Sequence, residues 1–305
     1  MKGTTVARAK GALKNVLEKP SVSAPVATML RPVAKWLPDS LLFRVPVSGP
    51  FPVEIPGSDA SFRLHGALGD SIGMTLCWRG LRAYEGSTVD VLARLSARTS
   101  VFLDVGANVG VYSLLMATIN PRAQVHALEP VPSVFGLLER NARLNRLTNL
   151  HLHQVAMADR VGVAAMYVPV DHAVPIEASM RPGHRPNSAP IEVRVATLDA
   201  FVRELGVPEV SVVKIDTEGT TAEVLQGAVG VLRQSKPVLI CEVLSDIDSE
   251  LRVGPILDDL GYIGFSLTPD GPKRSDQILG DPTFENLNYL FVHETRLAEA
   301  TEILI

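Results

Sequence analysis

The chain has 305 residues, of which 46% are hydrophobic and 20% are charged, a composition typical of a globular protein. This composition excludes a disordered or fibrous chain, and the length fits either two domains or one extended α/β domain. A net charge of −4 argues against a dedicated nucleic-acid binder, which would carry a strong basic excess. Cys77 and Cys241 are too few for a disulfide framework, so a reducing cytoplasm is the expected location.

The first 20 residues are basic, and Glu18 is their only acidic residue. No apolar run of about 18 residues occurs in the chain, and no apolar core of a signal peptide follows the basic residues. Val6, Leu13 and Leu17 fall on one face of a predicted helix, which is able to lie on an anionic membrane surface. Capping of the following domain is the simpler interpretation, so peripheral membrane contact is a secondary hypothesis.

Proline dominates the next stretch, which precedes the regular part of the chain. Because prolines this dense forbid a long helix, we predict short helices and extended segments leading into strands near 51–55 and 60–79. Trp36 and Trp78 lie in this region. Either ring is suited to stacking on a sugar or a lipid, but packing in the core is the default expectation for both.

From Ser87 onward, apolar strands alternate with helical patterns, and the spacing of Ser87 and Asp90 predicts a capping box. Helices are predicted near 109, over 132–145, over 197–206, from 220 through 232, and up to about 261. Strands are predicted at 101–105, 124–128, 150–156, 210–215, 238–243, 262–267 and 287–293. A hairpin-like pair, 163–168 and 191–196, encloses an insert at 169–190 that has the composition of a mobile surface loop. This alternation predicts an α/β fold with a mostly parallel sheet, whose last two strands are able to pair antiparallel.

The most specific local signal is the turn from Asp104 to Gly110, where an apolar strand becomes a helix. Gly106 permits a tight turn and brings the backbone close to a ligand, while Gly110 lets the helix pack near the strand. The N-terminus of the helix offers free N–H groups and a positive dipole. A carboxylate or phosphate group of a cofactor therefore suits this position.

Two cofactors, a nicotinamide dinucleotide and S-adenosylmethionine, are candidates to bind at that turn. The nicotinamide fingerprint is G-x-G-x-x-G, whereas here Gly106 and Gly110 are separated by three residues and Asp104 stands two residues before the first glycine. An acid there disfavours a pyrophosphate but suits the amine and sulfonium of S-adenosylmethionine. Glu129 ends the next strand, where a carboxylate can accept both ribose hydroxyls. That feature fits either cofactor.

Six motifs in order resemble the FkbM family of S-adenosylmethionine-dependent methyltransferases. The resemblance covers residues 84–293, including Tyr84-Glu85 ahead of the domain, and the first 80 residues carry little of it. The matching segments are VFLDVGANVGVYSLLMA (101–117), ALEPVPSVFGLLERNARLN (127–145), VAMADRVG (155–162), TLDAF (197–201), VVKIDTEG (212–219) with VLQGA (224–228), and NYLFV (288–292).

The resemblance implies a Rossmann-like class I methyltransferase fold, with seven strands of which the last is antiparallel. It implies methyl transfer, most often to a hydroxyl oxygen of a sugar or natural product. By motif position, the methionine part of the cofactor would lie at Asp104, Gly106, Ala107, Asn108 and Gly110. The ribose would lie at Glu129 and Pro130, the adenine at Ala156 and Met157, and the boundary between cofactor and acceptor at Asp216.

One position departs from the family pattern. An acid commonly stands two places after the glycine of KIDxEG, and this chain has Thr221 there. Glu223 lies about half a helical turn further on and is not a simple substitute. If the missing acid takes part in catalysis in the family, the mechanism or the activity of this chain differs.

Three acids are candidates for the chemistry of the acceptor, because they follow predicted strands at the carboxyl edge of the sheet. Asp216, Glu218 and Glu242 are each placed to take the proton of an acceptor hydroxyl, and together they are suited to hold Mg²⁺. Glu218 can instead cap the following helix, and Glu242 can pair with a buried base.

Histidines and lysines near these acids have simpler interpretations. His172 and His184 in the insert can swing over an acceptor as bases, although exposed loop histidines are usually only solvated. His126, His151 and His153 read as structural. Lys214 is expected to face the opposite side of its strand from Asp216. Methylation of nucleic-acid amines is disfavoured, because the required Asn/Asp-Pro-Pro-aromatic run is absent and acids at 216 and 218 repel phosphate.

The sequence thus predicts an N-terminal extension over 1–83, a methyltransferase domain over 84–295 and a tail over 296–305. The leading functional hypothesis is S-adenosylmethionine-dependent O-methylation of a sugar, glycolipid or secondary metabolite. A non-catalytic binding protein is one alternative, suggested by Thr221. A nicotinamide oxidoreductase is another, disfavoured by the glycine spacing.

Overall fold

The computed structural model describes residues 19–171, 174–175, 177–207, 209–245, 247, 250–283, 286–300 and 303. The basic residues up to Glu18 and His172 of the insert lie outside these ranges, so both hypotheses built on them stay predictions. The described residues form two compact units. One comprises the chain up to Glu85 together with Val174, and the other comprises the remainder.

The N-terminal unit combines short helices with a hairpin, as the proline pattern predicts. Its elements are α1 (Pro20–Leu30), a 3₁₀ helix (Arg31–Trp36), α2 (Asp39–Leu42), β1 (Gly49–Glu54), β2 (Ser61–Gly66), α3 (Ser71–Arg79) and a 3₁₀ turn (Leu81–Ala83). The strand predicted over 60–79 is wrong beyond Gly66. Asp70 accepts a hydrogen bond from the backbone of Gly73 and so begins a helix there.

Eight strands form the main sheet of the second unit, in the order β12-β11-β13-β10-β9-β3-β4-β5. They are β3 (Val101–Val105), β4 (Gln124–Leu128), β5 (Leu150–His153), β9 (Val212–Ile215), β10 (Val238–Glu242), β11 (Tyr262–Thr268), β12 (Gly271–Arg274) and β13 (Asn288–His293). The five strands from β10 to β5 are parallel, and β13 runs antiparallel to both β10 and β11. The Rossmann-like fold and the reversed last strand are thereby confirmed.

An eighth strand adds to the seven that the resemblance implies. β12 pairs antiparallel with β11 at the edge of the sheet. The chain reverses at Gly271, whose φ of +106° is a conformation that side chains disfavour. The sheet therefore has one strand more than the seven that the resemblance implies, and β12 is that additional strand.

A separate three-stranded sheet contains the predicted hairpin. β7 (Gly162–Pro169) and β8 (Ser188–Ala196) pair antiparallel, and β6 (Ala156–Met157) lies beside β8. The strand expected over 150–156 is therefore two strands in different sheets. The insert between β7 and β8 is not wholly a surface loop, because Ser179 is buried and its backbone pairs with Tyr167.

Helices connect the strands of the main sheet. They are α4 (Gly86–Ser96), α5 (Val111–Ile119), α6 (Pro132–Asn145), α7 (Leu198–Leu205), α8 (Thr221–Gln226), α9 (Val229–Ser235) and α10 (Val253–Asp258). Thr197 caps α7 and Gly206 ends it, as predicted. The single helix expected from 220 through 232 is broken near Gly227, where a side chain would overlap the carbonyl oxygen of Ala158.

The core of this unit lies between the sheet and its helices. Its fully buried members include Leu103, Val213 and Leu239 on neighbouring strands, and Leu225 on α8. Within the described ranges, no helix is both long enough and apolar enough to cross a membrane.

Candidate functional site

Four neighbouring strands deliver the predicted site residues to one edge of the sheet. β3 lies between β4 and β9, and β10 follows β9, all in parallel register. Since parallel strands end at the same edge, the residues after β3, β4, β9 and β10 are brought together. The sequence predicted each strand end separately, and the sheet order makes them adjacent.

The two glycines of the turn are required by the protein's own packing. Gly106 has φ +79°, and a Cβ there would overlap the backbone carbonyl oxygen of Asp216. Gly110 has φ +91°, and its Cβ would overlap Leu138 of α6. The sequence predicted that Gly106 admits a ligand and that Gly110 packs against the strand. In the structure Gly106 admits the β9 loop and Gly110 admits a neighbouring helix.

Asp104 lies at the base of the turn and is completely buried. One carboxylate oxygen accepts a hydrogen bond from the Ser113 hydroxyl on α5. The other, Oδ1, has no hydrogen-bond partner among the described residues. Burial raises the pKa of Asp104, against the opposing effect of the nearby Lys214 ammonium. A buried carboxylate oxygen of this kind is an acceptor available to a ligand amine.

Glu129 joins the glycine turn to the loop after β4. Its Oε2 accepts the backbone N–H of Asn108 at 3.0 Å, and its Oε1 accepts that of Val131 at 2.8 Å. Burial raises the pKa of this carboxyl to about 7, and the two backbone donors oppose the rise. Each oxygen keeps a second lone pair, so the predicted contact with ribose hydroxyls stays compatible with these bonds.

The other residues assigned to the cofactor by resemblance lie around the same turn. Ala107 is buried against Ala127 and Leu138, and Pro130 follows Glu129 in the β4 loop. Ala156 and Met157 form β6, with both side chains buried. Their contact with an adenine ring stays a prediction.

Lys214 is the residue that sequence reasoning misplaced. Its Nζ donates to Oδ2 of Asp216 at 2.7 Å, and the lysine side chain is only 1% exposed. Residues two apart on a strand share a face, so the period of the strand was the signal that could have placed them together. The same Nζ lies 4.6 Å from the centroid of the Tyr112 ring. Lys214 thus fixes Asp216 at the end of β9.

The insert reaches the site through His184 and Ser179. His184 Nε2 lies 3.2 Å from Oε2 of Glu218, and its side chain is 9% exposed. The hydroxyl of Ser179 donates to the backbone carbonyl of Glu218 at 2.7 Å. Glu218 itself has φ +51°, and burial raises the pKa of its carboxyl. The insert therefore holds both the backbone and the side chain of this acid.

Asp216, Glu218 and Glu242 converge, as the sequence could not establish. One carboxylate oxygen from each lies within 4.8 Å of the others. This arrangement offers either a base for an acceptor hydroxyl or oxygen ligands for a hard cation. The parallel pairing of β9 with β10 brings the chain positions of the three acids to this point.

Thr221 is buried behind these acids and supports them. Its hydroxyl donates to the backbone carbonyl of Glu242 at 3.0 Å, which links the start of α8 to the end of β10. Glu223 is turned away to pair with Arg252 at 2.6 Å. Neither residue supplies a carboxylate to the cluster, so the acids of this site are those at 216, 218 and 242.

Comparison with known proteins identifies the region that contains this site. A model of the methyltransferase FkbM domain matches residues 104–263, more than half of the chain. The chain is 28% identical over 159 residues to the 31-O-demethyl-FK506 methyltransferase FkbM of Streptomyces tacrolimicus, covering 42% of this chain and 58% of that protein. It is 28% identical over 174 residues to the hexuronic acid methyltransferase AglP of Haloferax volcanii, covering 56% and 66% respectively.

The chain thus spans less than two thirds of the length of these two relatives. A solved structure of a methyltransferase FkbM from Methylobacillus flagellatus aligns with a TM-score of 0.39 and 16% identity, over 64% of this chain and 44% of that one. Agreement at that level is too low to support any argument about the site.

Proposed function

The chain belongs to the FkbM methyltransferase family, and from this we propose that it transfers a methyl group from S-adenosylmethionine to a hydroxyl oxygen. We propose as acceptor a sugar, a glycolipid or a secondary metabolite. The names of its relatives, one acting on FK506 and one on a hexuronic acid, support this class of acceptor. The single observation that carries the proposal is the convergence of three acids beside the glycine turn.

The turn suits the amino-acid end of the cofactor. Asp104 Oδ1 is buried and without a protein partner in the described part of the chain, so it is an acceptor for the cofactor amine. The N-terminus of α5, which begins at Val111, provides N–H groups for its carboxylate. Glu129 would hold the ribose through its remaining lone pairs. When bound, S-adenosylmethionine supplies an electrophilic methyl group on a sulfonium.

Glu218 is the best candidate for the base that takes the acceptor proton. Burial raises the pKa of its carboxyl, which makes it a stronger base near neutral pH. His184 positions that carboxylate from the insert. Asp216 is a poorer candidate, because the buried Lys214 ammonium already donates to it. We therefore assign proton transfer to Glu218 and positioning to His184, Lys214 and Asp216.

A cation-assisted mechanism is the second candidate, favoured by the short distances among the three acids. Mg²⁺ bound there would acidify the acceptor hydroxyl without a protein base. The Lys214 ammonium, 2.7 Å from Asp216, repels a cation at the same carboxylate. Methyl transfer that persists in excess chelator would rule this mechanism out, and loss of activity restored by Mg²⁺ would favour it.

Calorimetry tests the cofactor assignment. We expect S-adenosylhomocysteine to bind at micromolar concentration and NAD not to bind. Asp104→Ala and Glu129→Ala are each expected to weaken binding, because each removes a carboxylate at the turn. If both variants bind like the wild-type protein, the cofactor lies elsewhere. Binding without any methyl transfer to a broad panel of hydroxyl acceptors would favour the non-catalytic alternative.

The assignment of the base has its own test. Glu218→Gln keeps the size of the side chain but removes the base, so methyl transfer is expected to fall about 10²–10⁴-fold while S-adenosylhomocysteine still binds. Glu192→Gln, at an exposed position on β8, is the matched control and is expected to be fully active. Equal activity of the two variants would refute the role of Glu218.

A further inference from the structure

Five exposed apolar side chains lie in one short stretch of the N-terminal unit, between Met29 and Phe43. Met29, Val33, Trp36, Leu41 and Phe43 are exposed by 79%, 42%, 70%, 47% and 40%, respectively. They make up half of the exposed large hydrophobic residues in the described ranges, and the other half are scattered between residues 161 and 279. Core packing, the default expectation for Trp36, is therefore wrong. We call these five residues the apolar surface; a stretch this rich in exposed apolar side chains is a candidate interaction site.

The helical geometry explains why part of this surface faces outward. α1 continues directly into the 3₁₀ helix, and Ala27 and Ala34 are buried on their inner side. Val33 and Trp36 are three residues apart in the 3₁₀ helix, a spacing that places their side chains on one face. The segment therefore buries Ala27 and Ala34 and leaves larger apolar side chains exposed.

Arg79 holds this segment in place. Its guanidinium donates to the carbonyl oxygens of Ala34 at 2.8 Å and Leu37 at 2.7 Å. It also pairs with Asp39 at 2.6 Å. The backbone between the 3₁₀ helix and α2 is thus ordered before any partner binds, which lowers the entropic cost of docking.

The segment that carries the apolar surface is basic, although the whole chain has a net charge of −4. Residues 19–44 contain four basic residues, Lys19, Arg31, Lys35 and Arg44, and one acid, Asp39. That acid is already paired with Arg79. The Lys35 ammonium lies 4.3 Å from the centroid of the Trp36 ring. Tryptophan rings are enriched at the level of the lipid headgroups, and basic side chains near a membrane surface are attracted to anionic lipids.

A cavity in the same unit adds a polar element. It has a volume of about 480 Å³, and its lining includes Arg31, Arg63 and Phe51 but no carboxylate. Arg31 is held there by a bond to the carbonyl of Pro52 at 2.6 Å and lies 5.7 Å from the centroid of the Phe51 ring. Its guanidinium carries further N–H groups, which are suited to a phosphate.

We propose that the apolar surface docks the protein onto an anionic lipid bilayer. Trp36 and Met29 enter the boundary between headgroups and acyl chains, while Lys35 and Arg44 meet the lipid phosphates. A second copy of the chain is a less suitable partner, because two net-basic surfaces repel each other. This proposal is independent of the methyl acceptor and goes beyond the basic first 20 residues.

Flotation of the full chain with vesicles tests the proposal. We expect binding to vesicles of phosphatidylcholine with phosphatidylserine, little binding to phosphatidylcholine alone, and weakening in high salt. The double variant Met29→Ser/Trp36→Ser is expected to bind at least about tenfold more weakly, since both apolar side chains are lost. Lys35→Gln is expected to bind about fivefold more weakly.

Val161→Ser/Val163→Ser is the matched control, since those side chains are 69% and 62% exposed but lie outside the apolar surface. It is expected to bind like the wild-type protein. Equal binding of the test and control variants, or equal binding to both kinds of vesicle, would overturn the proposal. A dimer in analytical ultracentrifugation that only the Met29→Ser/Trp36→Ser variant abolishes would assign the surface to a second copy instead.

Discussion

Replacing Gly106 with alanine probes the packing that forms the glycine turn. Gly106 has φ +79°, so any side chain there costs about 1–2 kcal/mol for the left-handed conformation. The added Cβ would also overlap the carbonyl oxygen of Asp216, a backbone atom that cannot move aside alone. Such overpacking adds typically about 1–3 kcal/mol. We therefore expect Gly106→Ala to lower the free energy of unfolding by about 2–5 kcal/mol.

Gly206→Ala is the matched control for this substitution. Gly206 also has a positive φ, +68°, but nothing lies within 4 Å of its added Cβ. It is therefore expected to lose only the conformational part, about 1–2 kcal/mol. The difference between the two variants isolates the overlap between the β3 and β9 loops.

Urea-induced unfolding measures both variants, and calorimetry with S-adenosylhomocysteine measures the turn itself. We expect Gly206→Ala to bind the ligand like the wild-type protein and Gly106→Ala to bind at least about tenfold more weakly, because the overlap displaces the turn. Equal destabilisation of the two variants together with unchanged ligand binding by Gly106→Ala would refute the packing argument.

Three further substitutions test other parts of the second unit. Burial raises the pKa of Glu129 from 4.5 to about 7. Between these pH values the folded protein keeps a proton that the unfolded chain releases. The free energy of unfolding should therefore fall as pH rises through this window, by up to about 3 kcal/mol. Urea unfolding at pH 5 and pH 8 measures this fall in the free energy of unfolding. The fall should be smaller in Glu129→Gln than in the wild-type protein, and an equal fall in both would contradict the prediction. Burial lowers the pKa of His126 from 6.5 to about 4, so the free energy of unfolding should fall as pH drops through that range. In thermal melts, His126→Leu should lose less stability at acidic pH than the wild-type protein. Equal losses in the two proteins would count against this prediction. Asp199 accepts hydrogen bonds from the backbone N–H groups of Gly230 and Val231 at the start of α9. Asp199→Ala should therefore lower the free energy of unfolding by about 0.5–2 kcal/mol. An unchanged free energy of unfolding would show that solvent replaces both bonds.

With Thr221 at the departing position, this chain still brings three carboxylates together, those of Asp216, Glu218 and Glu242. The threonine hydroxyl bonds to the carbonyl of Glu242 and is buried. A carboxylate in its place would face that carbonyl oxygen, which is an unfavourable contact between two acceptors. The substitution therefore changes the support of the site while the acids at 216, 218 and 242 stay together.

Local patterns in the sequence determined where several elements of the second unit lie and which residues follow their strands. The run from Val101 to Val105, the acid at 129 after β4, and the threonine and glycine that bound α7 are all where the sequence predicts them. These features depend on neighbours a few residues apart, through hydrophobic period, capping and turn preference. For that reason the sequence of this chain was enough to predict them.

Only the tertiary structure decided which of these groups meet. The Asn108 N–H donor to Glu129 and the His184 contact to Glu218 join residues far apart in the chain, and the exposure of Trp36 depends on how its unit packs. Their distances follow from the order of the strands and the path of the insert, which no short-range pattern encodes. The sequence by itself determined what each strand end carries, and the packing of the sheet decided that three acids share one point.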